Sequence, residues 1–336
     1  MKMRVAVVGA GVIGLSTAVQ ISELVNHVDL TVVADSFTPS LTSNAAAGFW
    51  YLHAVGNTPQ YLLRKWSGAT FEHLQKLVQS PEAGIAGVQN LSGFHVWKKA
   101  QPPDDPMCHD LFLDFRNMTA SELKHFDGYT HGWKYTTVLA EGDKYLPYLT
   151  NRLKKKSVKF VEEKVTALED LYQDYDVVVN CCGVRSGFLS RDTDLKPARG
   201  QAIRVWAPWL KHFQIYDDGD YYIIPGIGHV TLGGTHQEGH WNREVDQEDR
   251  KRIWAGCTRR VPSLKAAKPI KDIVGLRPIR SSVRLEKEEL LSNGKKILVV
   301  NNYGHGGAGV TLHWGCAMDA AQMVQHWLLQ HSKSKL

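Results

Sequence analysis

The sequence predicts an α/β protein in which a Rossmann-type dinucleotide-binding domain is interleaved with an α+β domain built on an antiparallel sheet. Three observations carry that prediction. The chain opens on a strand, a glycine turn, a helix and a second strand. Apolar, β-branched runs of the buried parallel type recur at 174–183 and at 295–302. Between them, after Arg199-Gly200-Gln201, the texture changes to short strands split by turns. At 336 residues the chain is long enough for two domains.

Taken in order, "MRVAVV" at 3–8 is a strand, 12–26 carries apolar positions at helical spacing, and "VDLTVVA" at 28–34 returns to strand and ends at Asp35. "PSLTSNAAAGFW" at 39–50 reads as a loop of small residues. From about 60 to 130 amphipathic helices are expected, interrupted by a polar surface loop at 98–106. Residues 144–155 read as helix, "VKFVEEKVTAL" as a strand and turn, and "DYDVVVNCCG" at 174–183 as a buried strand ending in glycine. "GQAIRVWAP", "YYIIPG" and "HVTLGGT" supply the second sheet, and a helix follows at about 247–259. The last strand, "KKILVVNN", enters a turn with four glycines and a closing helix from Thr311 to Gln330. The dinucleotide domain is therefore expected at 1–50, 140–195 and 275–336, and the substrate domain at 51–139 and 196–274.

Composition narrows the function classes. The net charge is +6, but the basic residues are scattered apart from "RLKKKSVK" at 152–159, which reads as a solvated helix end, so no nucleic acid is expected. No apolar run reaches membrane-spanning length, so no membrane partner is expected. Cys108, Cys181, Cys182, Cys257 and Cys316 lack metal spacing and are expected to be reduced thiols; no metal is expected. The final tripeptide, Ser334-Lys335-Leu336, has the form of a peroxisomal address, which makes a peroxisomal import receptor an expected partner.

In "VVGAGVIGLS", Gly9, Gly11 and Gly14 have the G-x-G-x-x-G spacing directly after a strand. Gly9 permits the tight turn, Gly11 admits a pyrophosphate against the backbone, and Gly14 lets the helix close on the strand. Val12 and Ile13 open that helix, whose amino terminus favours phosphate. Asp35, with Ser36 beside it, lies where a carboxylate accepts the ribose hydroxyls and repels the extra phosphate of NADP. FAD and NAD share this half. The chain leaves for a helical segment after Asp35, and the glycine turn "NNYGHGGAGVT" at 301–311 returns backbone NH groups late in the chain. That arrangement suits the far end of a long cofactor, which favours FAD.

The segments "VAVVGAGVIGLSTA", "AAAGFW", "RGQ", "YIIPG", "VTLGGT", "GLRPIRSSVRLE" and "NYGHGGAGVTLHWGCA", in this order, resemble the D-amino-acid oxidase and D-aspartate oxidase family from residue 4 to about 325. The resemblance implies a peroxisomal FAD oxidase that turns a D-amino acid into an imino acid by hydride transfer to flavin N5, with molecular oxygen leaving as hydrogen peroxide. By position it implies that Arg277 holds the substrate carboxylate and that Tyr222 contacts it too, Tyr221 replacing it if the alignment slips by one. Gly307 would accept from the amine through its carbonyl. Thr42, Ser43 and Gly48 fall in the phosphate and flavin loop, and Val165 near the adenine. Arg284 is the flavin-side arginine, and Gly306, Gly309, Val310 and Thr311 surround the flavin. His305 reads as a structural histidine, and a homodimer is an expected assembly.

Two branches compete for the substrate. Tyr51, His53 and His236 fall in the expected substrate pocket. His53 stands where the aspartate branch has histidine and the neutral branch tyrosine; His236 stands where the aspartate branch has an arginine and the neutral branch an aromatic residue. The segment between Phe213 and Tyr222 is short, as in the aspartate branch, yet the missing second arginine favours neutral side chains. Rival readings are a D-aspartate oxidase, an NAD-dependent dehydrogenase, a non-catalytic flavoprotein, and a glycine or sarcosine oxidase relative.

Overall fold

The computed structural model describes residues 2–98, 107–218 and 221–331. Its strands are β1 (Met3–Val8), β2 (Val28–Ala34), β3 (Val88–Trp97), β4 (Leu113–Asn117), β5 (His131–Ala140), β6 (Lys159–Glu162), β7 (Val177–Asn180), β8 (Lys196–Trp206), β9 (Phe213–Tyr216), β10 (Tyr221–Pro225), β11 (Val230–Gly233), β12 (Gln237–Glu238), β13 (Lys268–Ile279), β14 (Arg284–Ser292) and β15 (Lys295–Tyr303).

They form two sheets. The first runs β14-β15-β7-β1-β2-β6 and is parallel except at the β14/β15 edge. Its strands are valine-rich because both faces are buried. Val5, Val7, Val32, Val177, Val179 and Val300 belong to the cluster that includes helices Val12–Leu24 and Gly309–His331, whereas Ala6, Val8, Val33, Val178 and Val299 pack on Leu168, Leu171 and Leu189. Helix Gly309–His331 also packs against helix Gln60–Val78.

The second sheet runs β12-β8-β11-β10-β9-β3-β5-β4, with β13 along the other side of β8. It is antiparallel except for the parallel pair β3/β9. The Arg199-Gly200-Gln201 stretch organises its edge. Arg199, 2% exposed, donates to the carbonyls of Asn242 and Glu244 and to the Asp249 carboxylate, while the Gln201 amide donates to the Asp246 carbonyl. These bonds hold the 242–246 loop against β8.

The structure corrects three expectations. Among the described residues between 60 and 130 the one long helix is Gln60–Val78; β3 and β4 take positions expected to be helical. Their short apolar runs fit either period, and pairing with β5, distant in sequence, decides the outcome. The expected boundary at 275 cuts β13, whose residues as far as Ile279 pair with β8 in the second sheet. β14, exposed along most of its length, carries too little apolar signal to have been read as a strand. Most of the expected 98–106 loop and Ser334-Lys335-Leu336 lie outside the described residues.

Candidate active site

The turns after β1, β2 and β7 and one face of the second sheet enclose a cavity of about 910 Å³, near the upper end of the range for ligand sites. At one end Gly9, with φ +109°, continues the ladder by donating its NH to Val33. A Cβ there would lie 2.5 Å from the Cys181 carbonyl. At Gly14 a Cβ would lie 1.9 Å from the Gly9 carbonyl, so this glycine acts by closing the helix on the turn and does not line the cavity. Gly11, Val12 and Ile13 do line it, and Ser43 Oγ accepts from the Val12 NH at 3.0 Å. Asp35, Ser36, Thr42, Gly48 and Val165 complete this end; the Asp35 carboxylate is paired with Arg185. A glycine cradle without Cβ atoms, a helix amino terminus and a carboxylate closing β2 fit the ADP half of FAD.

At the other end, Tyr222, Arg277 and Gly307 all line the same cavity, as do Tyr51, His53 and His236. Arg277 Nη1 donates to the Thr235 carbonyl at 2.9 Å, and its guanidinium lies over Gly200, where a Cβ would sit 2.4 Å from Nη1. The Tyr222 ring lies against Gly233 and Gly234, where added Cβ atoms would come within 1.8 and 2.8 Å of it. Tyr221 packs its ring against Gly256 with Arg260 above it at 4.2 Å. Both tyrosines line the cavity; the Tyr222 ring lies on Gly233 and Gly234, whereas the Tyr221 ring is held between Gly256 and Arg260. The glycine turn completes the wall: Gly306, Gly307, Gly309 and Val310 line the cavity, and the Gly307 NH donates to the His53 carbonyl at 3.1 Å. His53 and His236 stand edge to face with centroids 5.6 Å apart, and His236 Nε2 lies 3.3 Å from Glu238.

Besides Gly14, two expected cofactor residues lie outside the cavity wall. Arg284 is bound to Glu286, Glu288 and Tyr303 and is not part of the cavity wall, because it starts an edge strand whose neighbours are carboxylates. Thr311 spends its hydroxyl on the backbone of Tyr51, accepting from the NH at 3.1 Å and donating to the carbonyl at 2.8 Å, so it positions Tyr51 rather than lining the site. Sequence reasoning missed His95, Ile215 and Asp217, all in the cavity wall. The signal for His95 was the alternation of "GFHVW", obscured by the helical reading of that region.

Burial controls the electrostatics. It raises the Tyr51 hydroxyl. It raises Asp217 at the exposed rim, and neighbouring Asp218 acts in the same direction. His305, 2% exposed, is pushed down to about 3 by burial and then by His313, which makes it a weak base, as expected of a structural histidine.

Burial likewise lowers His73 to about 2, His95 to about 3 and His313 to about 4. In the unfolded chain each titrates near 6.5. Below that pH the unfolded state binds more protons than the folded one. The stability these four groups contribute is therefore complete above pH ~6.5 and falls with pH, by up to ~1.4 kcal/mol per pH unit for each histidine. Urea unfolding at pH 7.5 and 5.5 checks this: the midpoint is expected to drop at 5.5, and equal midpoints would show that these rings are not buried neutral.

Comparison with known proteins agrees with the geometry. A family model described as FAD dependent oxidoreductase matches residues 4–323. A D-aspartate oxidase of Homo sapiens is 43% identical over 321 residues, covering 96% of this chain and 94% of its own. A D-amino acid oxidase of Dugesia ryukyuensis is 35% identical over 336 residues, covering 98% and 99%. Among solved structures, a glycine oxidase from Bacillus cereus ATCC 14579 superposes with a TM-score of 0.73 at 19% identity, covering 97% of this chain and 96% of its own, a likeness of fold alone. With a family match across nearly its whole length, the chain belongs to the FAD dependent oxidoreductase family and is an enzyme that uses FAD.

Proposed function

We propose that the enzyme oxidises D-amino acids with uncharged side chains to imino acids, which hydrolyse to 2-oxo acids and ammonia, while molecular oxygen is reduced to hydrogen peroxide. The observation that carries this reading is the charge distribution of the cavity. Its other cations belong elsewhere: Arg185 is on Asp35, Lys164 lies in the same small recess as that pair, and Arg243 donates to the Ser40 carbonyl. Around Tyr222, Arg277 is the one guanidinium or ammonium of the described wall, and the nearby carboxylate is Asp217.

A single planar fork suits a single carboxylate, that of the α-carbon. Tyr222 adds its hydroxyl to the same group, and the Gly307 carbonyl takes the amine. Clamped at two points, the substrate presents its α-hydrogen in one orientation, and positioning supplies the rate. The bound flavin supplies the hydride acceptor. Among the described residues around Tyr222, a second carboxylate on the side chain would find histidine and tyrosine rings and no second guanidinium.

Two observations favour acidic substrates instead: the 43% identity to a D-aspartate oxidase and the His53–His236 ring pair. One experiment separates the readings. The purified protein is mixed anaerobically with D-alanine or D-aspartate, with L-enantiomers as controls, and bleaching of the visible flavin band is followed. Faster bleaching by D-alanine is expected; faster bleaching by D-aspartate assigns the side-chain carboxylate to His53 and His236. Import into the peroxisome through Ser334-Lys335-Leu336 is part of the proposal, supported by the tripeptide itself; its removal is expected to leave the enzyme in the cytosol.

A further inference from the structure

We infer that His95 sets the side-chain preference of this site by hydrogen-bonding an uncharged polar group, an amide above all, at the end of the substrate's side chain. The inference rests on the reading of the cavity as a D-amino-acid site and names the substrate class within it.

Sheet register places His95. It pairs with Ile215 across β3 and β9, and Ile215 pairs with Tyr222 across β9 and β10. Paired residues of neighbouring strands share a face, so His95 stands on the face of Tyr222, two strand spacings or about 10 Å along the sheet. The residue between them, Ile215, offers no polar group. All three line the cavity. A substrate whose carboxylate lies at Tyr222 and Arg277 therefore has, along this row, an apolar floor followed by a ring with hydrogen-bonding capacity.

That ring is fixed by its neighbours. His95 is 8% exposed, stacked on Trp97 with centroids 3.9 Å apart, and flanked edge-on by Tyr51 and Trp133, each at 5.8 Å. Its Nδ1 is buried, without a hydrogen bond among the described residues, and is sealed from the open cavity as well, so the nitrogen a ligand can reach is Nε2. Burial holds the imidazole neutral, with one nitrogen donating and the other accepting. An amide, both donor and acceptor, complements Nε2 in either tautomer. A carboxylate gains no charge from a neutral ring and meets Asp217 at the rim.

The test compares D-glutamine with D-norleucine, an apolar side chain of similar length, on the FAD-loaded wild type, His95→Leu and His95→Gln. The wild type is expected to favour D-glutamine in kcat/KM. His95→Leu is expected to lose about tenfold or more on D-glutamine while D-norleucine stays within about threefold, and His95→Gln, which keeps a donor and an acceptor, to recover most of the loss. Equal losses on both substrates in His95→Leu would make His95 a packing residue and overturn the inference. If His95→Leu fails to fold, the wild-type ratio decides, and a preference for D-norleucine overturns it. Oxidation of neither substrate by the wild type would overturn the parent reading with it, whereas normal oxidation of D-norleucine with no preference for D-glutamine overturns this inference alone.

Discussion

Replacement of Arg277 by leucine is expected to lower kcat/KM about 1,000-fold on D-alanine and D-aspartate alike, with the visible flavin spectrum retained. Arg277 sits on β13, opposite Ala198 of β8, with one protein hydrogen bond, to the Thr235 carbonyl. It has no carboxylate partner among the described residues, although Asp192, Asp218 and Asp249 each hold an arginine elsewhere in the fold. A guanidinium held in a cavity wall without a counter-charge leaves room for a ligand carboxylate. Removing one side of such a charge-assisted pair typically costs 2–5 kcal/mol, and each 1.4 kcal/mol is tenfold in rate. Because the Arg277 side chain makes one hydrogen bond and no ion pair among the described residues, the variant is expected to keep its FAD, so a loss confined to turnover and substrate bleaching identifies the carboxylate clamp. Arg277→Lys keeps the charge and loses the planar fork, and is expected to fall between the two. Turnover close to wild type in Arg277→Leu would remove the clamp from the mechanism.

The parts of this enzyme legible in the sequence are those whose signals are local. The first glycine turn announces itself because strand, turn, helix and Asp35 follow one another within one unit, and its geometry matches: Gly9 at φ +109°, Gly14 against the Gly9 carbonyl. Tyr222 and Arg277 were located by resemblance; neither a tyrosine in a strand nor an arginine after a leucine says anything on its own. The residues that escaped are set by pairing over long separations. His95 meets Tyr222 through Ile215: β3 pairs with β9, more than 100 residues away in the chain, and β9 pairs with the neighbouring β10. Arg284 misled for the opposite reason: its position in a motif suggested the flavin, while two of its partners, Glu286 and Glu288, are local to β14 and only Tyr303 comes from the pairing with β15.

The four glycines of "NNYGHGGAGVT" do not all serve the same end, and two substitutions separate their roles. Gly304 has φ +82° and Gly306 φ +54°, a region costly for residues with a Cβ. At Gly306 a Cβ would also lie 1.7 Å from the Ala54 carbonyl, and at Gly307 one would lie 2.5 Å from the His53 ring. Gly304 lies against Arg280 and Ser282, and Gly306 and Gly307 let the turn pack on residues 53–54, which are tied to it by the bond from the Gly307 NH to the His53 carbonyl. Gly306→Ala is therefore expected to destabilise the fold by about 3 kcal/mol or more, since it adds left-handed strain to a clash with backbone that cannot move alone. Gly309 differs: nothing lies within 4 Å of a Cβ there, and it opens helix Gly309–His331. Alanine favours a helix over glycine by up to ~1 kcal/mol, so Gly309→Ala is expected to leave the apoprotein at least as heat-stable as the wild type. Its Cα nevertheless lines the cavity, and a methyl group there intrudes where a cofactor approaches the helix amino terminus. FAD binding, read by the fluorescence of released flavin, is expected to weaken about tenfold or more in Gly309→Ala, and this loss without a loss of stability assigns the last glycine to the cofactor. Wild-type FAD affinity in that variant would instead make the whole turn a tight strand-to-helix connection whose glycines serve packing alone.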